Sequence, residues 1–582
     1  MTQSVGLSER SARPAAPSRW RQACPEPSFL WAAAVIAVVT FLAHFYLFDQ
    51  FGLYEDDYCM VLPWLHRSWH EVCSYAFQAF IHPAQGRPIY GPAQAMLASL
   101  AYRAGGLGLA HLVSYGLLTL LGLLFNRVLC QVTSPRVALL ASLVFVLYPA
   151  DTSRQIIMHQ CATLLPMCVC MAAILLYAHG KRAVSYAVAA TTLLVYESTY
   201  FPFLLAPLFA SRQRPLTLRT MAQHAALFFV VSGGVFGIRL FFGESRVQEV
   251  SGGLTAILPR VAQALWMGPL ASGTLLVQRP LDAFLHGQGG HWLVMLACGG
   301  MTGIGLFRLA RTGPAGSTAP ALLLFGGGVA AWVMSYLLDF RPDYFPPVVS
   351  IGRLSAVHEV GAFGCCVALA GVLSALCIPG SRALAEGASV LLVAGLAGFG
   401  YEVQVAEYAS HWQQQHRFWN ELWPLIQDVR PGETVICAFD ETLGGIPATQ
   451  GFTPFGQPVY NYKAFSRFLT LPAPKSNPPM LRGYNPYTVV ERVGSTLIIK
   501  SPFWDPAAWT KLHGQEVVWI KAGPDHLERY SGDLDLHGYH VVARPMGLPV
   551  AKVGLTKFFM QLFEGIGEGR WSSLREAKSY PP

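Results

Sequence analysis

The sequence predicts an α-helical polytopic membrane protein, with about 11 transmembrane helices and a C-terminal soluble α/β domain. The chain has 582 residues, of which 53% are hydrophobic and only 13% charged, and its mean hydropathy is +0.38. Soluble proteins carry about 25% charged residues. Apolar runs at 31–48, 111–125 and 321–338 approach the roughly 20 residues that a spanning helix needs. We expect helices because lipid leaves the backbone polar groups of open structures unsatisfied.

The basic residues orient the predicted helices. The N-terminal tail, 1–27, is basic and is taken as cytoplasmic, and the transmembrane domain is predicted over 28–402. The predicted spans, in chain order, are 28–48, 109–126, 136–149, 161–178, 183–196, 199–211, 222–241, 291–307, 319–338, 355–378 and 386–402. The turns between them that face the cytoplasm then contain Arg127, Arg136, Lys181, Arg182, Arg212, Arg214, Arg219, Arg308, Arg311 and Arg382. This distribution follows the positive-inside rule.

Two further apolar segments complicate the count. Residues 88–103 and 261–278 are apolar enough to span, but a crossing by either one alone would place basic turns on the outer side. We therefore predict that both lie as helices at the outer membrane interface, a common place for short amphipathic segments.

Composition changes after residue 402, and a C-terminal domain is predicted over 403–582. Residues 401–429 have the pattern of an amphipathic helix, whereas ETVICAF (433–439), STLIIKS (495–501) and EVVWIKA (516–522) have that of strands. About 180 residues are enough for a modest core. An odd number of crossings places this α/β domain outside the cytoplasm.

The first outer loop, 49–108, contains three consecutive acids, Glu55, Asp56 and Asp57. A single acid beside a membrane is most often a solvated loop residue. Here, polar residues recur at other outer helix ends, in the segments 148–160, 195–200 and 340–354. Ionisable groups at membrane depth are costly and are candidates for function.

The segment after Pro149 predicts a second polar group. If Asp151 caps a helix, then Asp151, Gln155 and His159 fall within about 80° of one another on one face. The alternative is a capping Asp and a helix-end His bound to backbone. Glu197 lies between two short apolar runs, where a carboxylate needs a partner.

In these residues the chain resembles the GT-C superfamily of polytopic glycosyltransferases, which use sugars linked to a polyprenyl phosphate. The likeness runs in order over roughly 28–400 and consists of short motifs: Asp56 and Asp57, Arg87 and Pro88, His111, Tyr148 and Pro149, Glu197, and Arg353. The chain departs from the family pattern after Arg353, where it has LSAVHEVG in place of Tyr and Pro.

The resemblance implies an inverting transfer in which an Asp of the first outer loop is the general base. Adjacent carboxylates repel, which raises the pKa of one of them and suits a base; Asp56 is favoured and Asp57 is next. Arginine matches phosphate oxygens, so Arg87 and Arg353 are the candidates for the leaving group, ahead of Arg154 and Arg341. Snorkelling or pairing with a nearby acid is the simpler role for each arginine.

The remaining predicted substrate-binding residues are Glu55, Asp151, His159 and Glu197. No cofactor is expected, although three acids together could hold Mg or Mn. The predicted partners are a polyprenyl-phosphate-linked sugar donor, a glycan, lipid or protein acceptor, and membrane lipids. Nucleic acid is not expected, because the basic residues form no stripe.

Two other functions remain open. A transporter or flippase would also use charges within the membrane, although transporters tend to place them near the midplane and to show internal repeats. A non-catalytic scaffold is the third reading. The chain has no N-x-S/T site, so we expect a bacterial inner membrane with the C-terminal domain in the periplasm.

Overall fold

The structure is a computed structural model of the whole chain. It describes residues 27–54, 57, 61–65, 67–83, 86–211, 216–241, 253–310, 321–339, 347–348, 352–376, 380–410 and 412–413, and the backbone of eight strands between 434 and 530.

The described part of the chain before residue 414 is mainly helical. The α-helices, numbered in chain order, are α1 Pro27–Thr40, α2 Leu62–Leu65, α3 Trp69–Ile81, α4 Tyr90–Leu129, α5 Pro135–Val146, α6 Leu165–Ala178, α7 Arg182–Leu193, α8 Ala206–Phe209, α9 Leu218–Phe241, α10 Gly253–His286, α11 Gly290–Ala310, α12 Ala321–Met334, α13 Val357–Leu376 and α14 Arg382–Glu402. Three π-helical turns and three 3-10 segments adjoin them at Phe41–Phe45, Phe48–Gln50, Gln160–Leu164, Glu197–Leu205, Arg353–Ala356 and Val403–Ala409.

Seven helices in the described residues are long and apolar enough to cross a membrane, which makes the chain a membrane protein by length and composition. They are Ser28–Gln50, Tyr90–Leu129, Gln160–Ala178, Leu218–Arg239, Gly290–Ala310, Arg353–Leu376 and Arg382–Ala409. Each contains or overlaps one of the eleven predicted spans.

The other four predicted spans are shorter elements. Helices α5 and α12 are apolar but have only 12 and 14 residues, and α7 has 12. The predicted span 199–211 is mainly a 3-10 segment of nine residues, Glu197–Leu205, with Pro202 inside it. Proline removes a backbone donor and clashes with the preceding turn, which limits a regular α-helix there.

Helix α4 joins two segments that were predicted as separate helices, the interface segment 88–103 and the span 109–126. Its 40 residues are interrupted at Gly105 and Gly106, where φ and ψ are not helical. Gly106 has a φ of +69° and a ψ of −162°, a conformation that suits glycine because it has no Cβ. The helix therefore bends between its two parts.

The predicted segment 261–278 lies inside the longer helix α10, which has 34 residues and three prolines, Pro259, Pro269 and Pro280. Helix α10 is not among the seven membrane-length apolar helices of the described residues.

In the first outer loop, helix α3 begins with a capping box in which Ser68 and Glu71 exchange hydrogen bonds. The hydrogen bonds from Ser68 lower the pKa of Glu71 to about 2.

Helices α12 and α13 pack unusually closely through glycines. A Cβ at Gly328 would collide with the backbone of Ala368, and a Cβ at Gly364 would collide with the backbone of Trp332. Small residues let helix backbones approach in this way, which is a common basis of helix association in membranes.

Three of the basic residues that were predicted to face the cytoplasm bind partners at the ends of the helices. The Arg136 and Arg382 guanidinium groups each bond Glu386, both at 2.9 Å. The guanidinium of Arg127 lies 4.0 Å from the centre of the Phe29 ring, at the start of α1. The predicted turn that contains Arg136 therefore lies beside the start of α14, and the end of α4 lies beside the start of α1.

The strands are described by their backbone alone. They are β1 Thr434–Phe439, β2 Ala464–Phe468, β3 Leu481–Arg482, β4 Val489–Val493, β5 Thr496–Lys500, β6 Thr510–His513, β7 Val517–Ala522 and β8 Leu527–Tyr530. One sheet has the order β3-β2-β1-β7-β8 and the other β4-β5-β6; strands β1 and β7 run parallel, with Val435 opposite Val518. The three predicted strands coincide with β1, β5 and β7, but most of the predicted helix 401–429 lies outside the described residues. The C-terminal α/β domain stays a prediction.

Candidate functional site

The segment between α5 and the π-helix at Gln160 is an irregular turn, and the predicted helix beginning at Asp151 is wrong. The Asp151 carboxylate accepts hydrogen bonds from the backbone N–H and the hydroxyl of Ser153, at 3.0 and 2.7 Å. An Asp that bonds the backbone two residues ahead competes with helix formation. The chain becomes helical only at Gln160.

Two of the three residues expected on one face of that helix still come together. The Nδ1 atom of His159 lies 2.7 Å from the Ser153 hydroxyl, which also bonds Asp151. Gln155 instead donates to the backbone carbonyl of His44, at 3.2 Å. Asp151 and His159 are 2% and 3% exposed, so they belong to a buried network.

Arg154 has a structural position in this turn. It is buried, pairs with Asp151 at 3.4 Å, and donates to the carbonyls of Phe145 and Val146 at the end of α5. The last carbonyls of a helix lack partners within the helix, and an arginine can supply them. This geometry assigns Arg154 to the turn rather than to a phosphate.

Asp57 ties the first outer loop to the same turn. Its carboxylate accepts hydrogen bonds from the backbone N–H groups of Ile157, at 3.2 Å, and Met158, at 2.8 Å, and from that of Tyr54, at 3.2 Å. Its side chain is fully buried. Three N–H donors fix the orientation of the carboxylate, so Asp57 positions the loop.

The other two acids of the first outer loop, Glu55 and Asp56, lie outside the described residues, as does Arg341. The assignment of Asp56 as the base therefore stays a prediction. The segment just before these acids is held by His111 of α4, whose Nε2 atom lies 3.0 Å from the Gly52 carbonyl oxygen.

Arg353 begins a short 3-10 segment whose backbone lies against the Asp151 turn. Gly352, with φ of +64°, donates its N–H to the Thr152 hydroxyl at 3.2 Å. The Ser355 hydroxyl accepts the N–H of Thr152 at 3.0 Å and donates to Asp151 at 3.4 Å.

Glu359 follows in α13 and is 4% exposed. Its charge interacts with those of Asp151 and Arg154. Glu359 lies near the end of the predicted span 355–378 that was expected to face outward. Its burial comes from the packing of α13 against α5, which the local sequence does not reveal.

A second group forms around Glu197. Arg87 donates from one guanidinium nitrogen to both carboxylate oxygens of Glu197, at 3.1 and 2.8 Å. Arg239 donates to one of the same oxygens at 2.8 Å. The Arg87 guanidinium also lies 4.5 Å from the centre of the Tyr196 ring. The structure therefore brings together two of the predicted residues, Arg87 and Glu197, with a third that was not predicted.

Counted over the three side chains of the Arg87–Glu197–Arg239 group alone, two guanidinium groups and one carboxylate give a formal charge of +1. Its arginines are almost fully buried, whereas the Glu197 side chain is 25% exposed. Gly86, with φ of +63°, brings the loop against the Arg239 backbone, and a Cβ there would come within 2.8 Å of the Arg239 carbonyl oxygen. A partly open site with excess positive charge suits an anion such as phosphate.

The sequence contained a signal for Arg239. It lies near the end of α9 that was predicted to face outward, so it is an exception to the positive-inside rule. A basic residue that breaks this rule needs a partner on the outer side, and here that partner is Glu197.

The described residues thus place the predicted site residues in two groups: Asp57, Asp151 and His159 with the backbone at Arg353, and Arg87 with Glu197. No group of three or more His, Cys, Asp or Glu side chains within the described residues could hold a metal ion. Since Glu55 and Asp56 lie outside those residues, the role of Mg or Mn stays open.

A scan against protein-family models, a search of curated proteins and a search of solved structures each gave no match to this chain. The likeness to the GT-C superfamily therefore rests on the residues and motifs of the sequence.

Proposed function

We propose that this chain is a membrane glycosyltransferase of the GT-C type that uses a polyprenyl-phosphate-linked sugar. The observation that carries the proposal is the Arg87–Glu197–Arg239 group, because it places two arginine guanidinium groups at a partly open site beside apolar helices. The phosphate of a polyprenyl-phosphate-linked donor is anionic and its tail is apolar, so this donor is complementary to both features of the site. The acceptor is a cell-envelope glycan, lipid or protein.

The reaction assigned to the site is an inverting displacement. The acceptor hydroxyl oxygen attacks the anomeric carbon of the sugar, and the bond from that carbon to the phosphate oxygen breaks. Asp56 takes the hydroxyl proton as general base. Arg87 and Arg239 stabilise the polyprenyl phosphate that leaves, since arginine forms charge-assisted hydrogen bonds to phosphate oxygens.

The other side chains support this arrangement. The part of the first outer loop that contains Glu55, Asp56 and Asp57 is called the acidic loop. Asp57 holds it against the turn that contains Asp151 and His159. Arg353 lies beside that turn and is assigned to the sugar or the phosphate. The proposal places these residues on the periplasmic side of a bacterial inner membrane, within a domain of about eleven crossings, with the α/β domain 403–582 outside.

The test compares Asp56→Asn with Asp49→Asn in lipid nanodiscs, with a panel of undecaprenyl-phosphate hexoses as donors. Asp49 is an exposed acid near the start of the same loop and serves as the matched control. Loss of a general base costs about 10²- to 10⁴-fold in rate. We expect Asp56→Asn to lose at least about 100-fold in transfer rate and to keep its affinity for undecaprenyl phosphate, with Asp49→Asn unchanged.

Transfer at the wild-type rate by Asp56→Asn would refute the assigned base. Movement of a lipid-linked sugar across vesicles without any transfer would favour the alternative function, a transporter or flippase.

A further inference from the structure

The π-helix Val403–Ala409, which continues α14, contacts both segments that hold Asp57. The hydroxyl of Tyr408 donates to the Thr152 carbonyl at 2.5 Å, in the turn after α5. The carbonyl of Tyr408 accepts from the hydroxyl of Tyr54 at 2.9 Å, in the first outer loop. Carbonyls at the end of a helix lack intrahelical donors and are available for such partners.

These bonds close a ring through the acidic loop. Tyr54 donates its backbone N–H to Asp57, and Asp57 accepts from Ile157 and Met158, in the same turn as Thr152. The turn returns to Tyr408 through the Thr152 carbonyl. Tyr54, Asp57 and Tyr408 are fully buried, so no water competes for these bonds in the described structure.

Ring contacts strengthen the same junction. The rings of Tyr54 and Tyr408 meet edge to face with centroids 4.8 Å apart, and the Phe51 ring lies 5.8 Å from that of Tyr408. Edge-to-face ring pairs of this kind are stabilising beyond the burial of their area. The Trp412 ring lies directly on Gly52, where a Cβ would collide with it.

The π-helix Val403–Ala409 also bonds the segment that follows α1. The side-chain amide of Gln404 accepts from the backbone N–H of Leu47 and donates to the carbonyl of Leu42, both at 3.0 Å. Tyr408 and Trp412 therefore contact the first outer loop, and Gln404 contacts the segment just before it. Single π-turns within helices occur frequently at functional sites.

We propose that Tyr408 is a positioning residue for the acidic loop, so that the chain leaving α14 toward the C-terminal domain holds that loop in its reactive arrangement. The inference rests on the proposed function, in which this loop carries the base. Tyr408 touches the loop and the turn at once, across 354 and 256 residues of sequence. A shift of the π-helix would therefore move Tyr54 together with the turn after α5, and both of these bond Asp57.

The experiment compares Tyr408→Phe with Tyr401→Phe in nanodiscs. Tyr401 lies in the same final helix and makes ring contacts with Tyr46 and His291, away from the acidic loop. Tyr408→Phe removes the bond to Thr152 and keeps the ring. Two quantities are measured: hydrogen exchange of the peptide 51–57, and kcat and KM with undecaprenyl-phosphate hexoses.

We expect Tyr408→Phe to speed exchange in 51–57 and to lower kcat about tenfold, the effect of about 1.4 kcal/mol. The KM for donor should stay within about twofold of wild type, because the anion-binding arginines are untouched. Tyr401→Phe should match wild type in both measurements. A merely structural role for Tyr408 would lower the yield of folded protein without this split between kcat and KM.

Wild-type exchange in 51–57 with Tyr408→Phe would overturn the inference, and so would a raised KM with unchanged kcat. If wild type shows no transfer with any donor, the proposed function fails. The exchange measurement then still decides whether Tyr408 holds the loop.

Discussion

Arg239 is the residue whose role the structure changes most. It shares the Glu197 carboxylate with Arg87 and supplies half of the positive charge in that group. A charge-assisted hydrogen bond contributes about 1.5–3 kcal/mol. If the group binds phosphate, each arginine should therefore contribute measurably to the affinity for a lipid phosphate.

We predict that Arg239→Gln weakens the binding of undecaprenyl phosphate about 10- to 100-fold, because one guanidinium donor is lost. Arg239→Lys should lose less, since the charge remains but the planar fork does not. Arg260→Gln removes the same charge from α10 and is the control. Native mass spectrometry measures the affinities. Equal affinity in Arg239→Gln and Arg260→Gln would contradict a phosphate site at Glu197.

Sequence reasoning reached some of these residues and not others, for physical reasons. Glu197 was predicted because a carboxylate between apolar runs needs a partner. Arg87 was predicted from the Arg-Pro pair of the GT-C likeness, and the structure pairs it with Glu197. The role of Asp57 could not be predicted, because its donors at Ile157 and Met158 lie about 100 residues away. Arg239 was available to prediction through the positive-inside rule and was missed.

At the scale of elements, the predicted and observed helices differ where side chains bond the local backbone or where proline interrupts it. Asp151 closes a turn with Ser153 in place of capping a helix. Pro202 lies in a 3-10 segment in place of a span. Hydropathy registers only that the stretch around Pro202 is apolar, and the side chain of Asp151 can form a turn as well as a helix cap, so neither signal fixes the backbone geometry.

Helix α12 offers a matched pair of glycines for a test of packing. A Cβ at Gly328 would collide with the backbone of Ala368, whereas nothing lies within 4 Å of a Cβ at Gly326. We predict that Gly328→Ala lowers the free energy of unfolding by about 1–3 kcal/mol, the usual cost of overpacking. Gly326→Ala should be neutral or slightly stabilising, because alanine favours helix.

Unfolding of both glycine variants in detergent, followed by heat or by a steric-trapping assay, measures the difference. Equal stability of Gly328→Ala and Gly326→Ala would mean that α12 and α13 separate easily, contrary to their close contact.

At the scale of the whole molecule, several of the described helix ends meet at two separate places. Arg127 and Arg308 contact the rings of Phe29 and Trp31 at the start of α1, at one end. The turn after α5, the first outer loop and the end of α14 meet elsewhere, through Tyr408. The charge distribution along the sequence assigns the first of these places to the cytoplasm, because basic turns favour that side of a membrane, and this orientation stays a prediction.

We predict opposite sidedness for two exposed turns, tested with single cysteines at Lys181 and Gln288 in a background in which all 12 native cysteines are replaced by serine or alanine. Cys73 is an exposed cysteine and would react otherwise. In spheroplasts, a membrane-impermeant maleimide should label Gln288→Cys and leave Lys181→Cys unlabelled until the membrane is opened. Labelling of both turns from the same side would refute the predicted orientation of α7 and α11.

The bend in α4 affects how deeply the two parts of this helix can lie in a membrane. A straight helix of 40 residues is about 60 Å long, roughly twice the hydrocarbon thickness of a bilayer. With the bend at Gly105 and Gly106, the later part alone is long enough to cross, and the first part can run along the headgroups. Arg87 precedes that first part by three residues. If residues 88–103 lie along the outer interface as predicted, the Arg87 guanidinium lies at the level of the lipid phosphates, where an anionic headgroup would reach it by lateral diffusion within the leaflet.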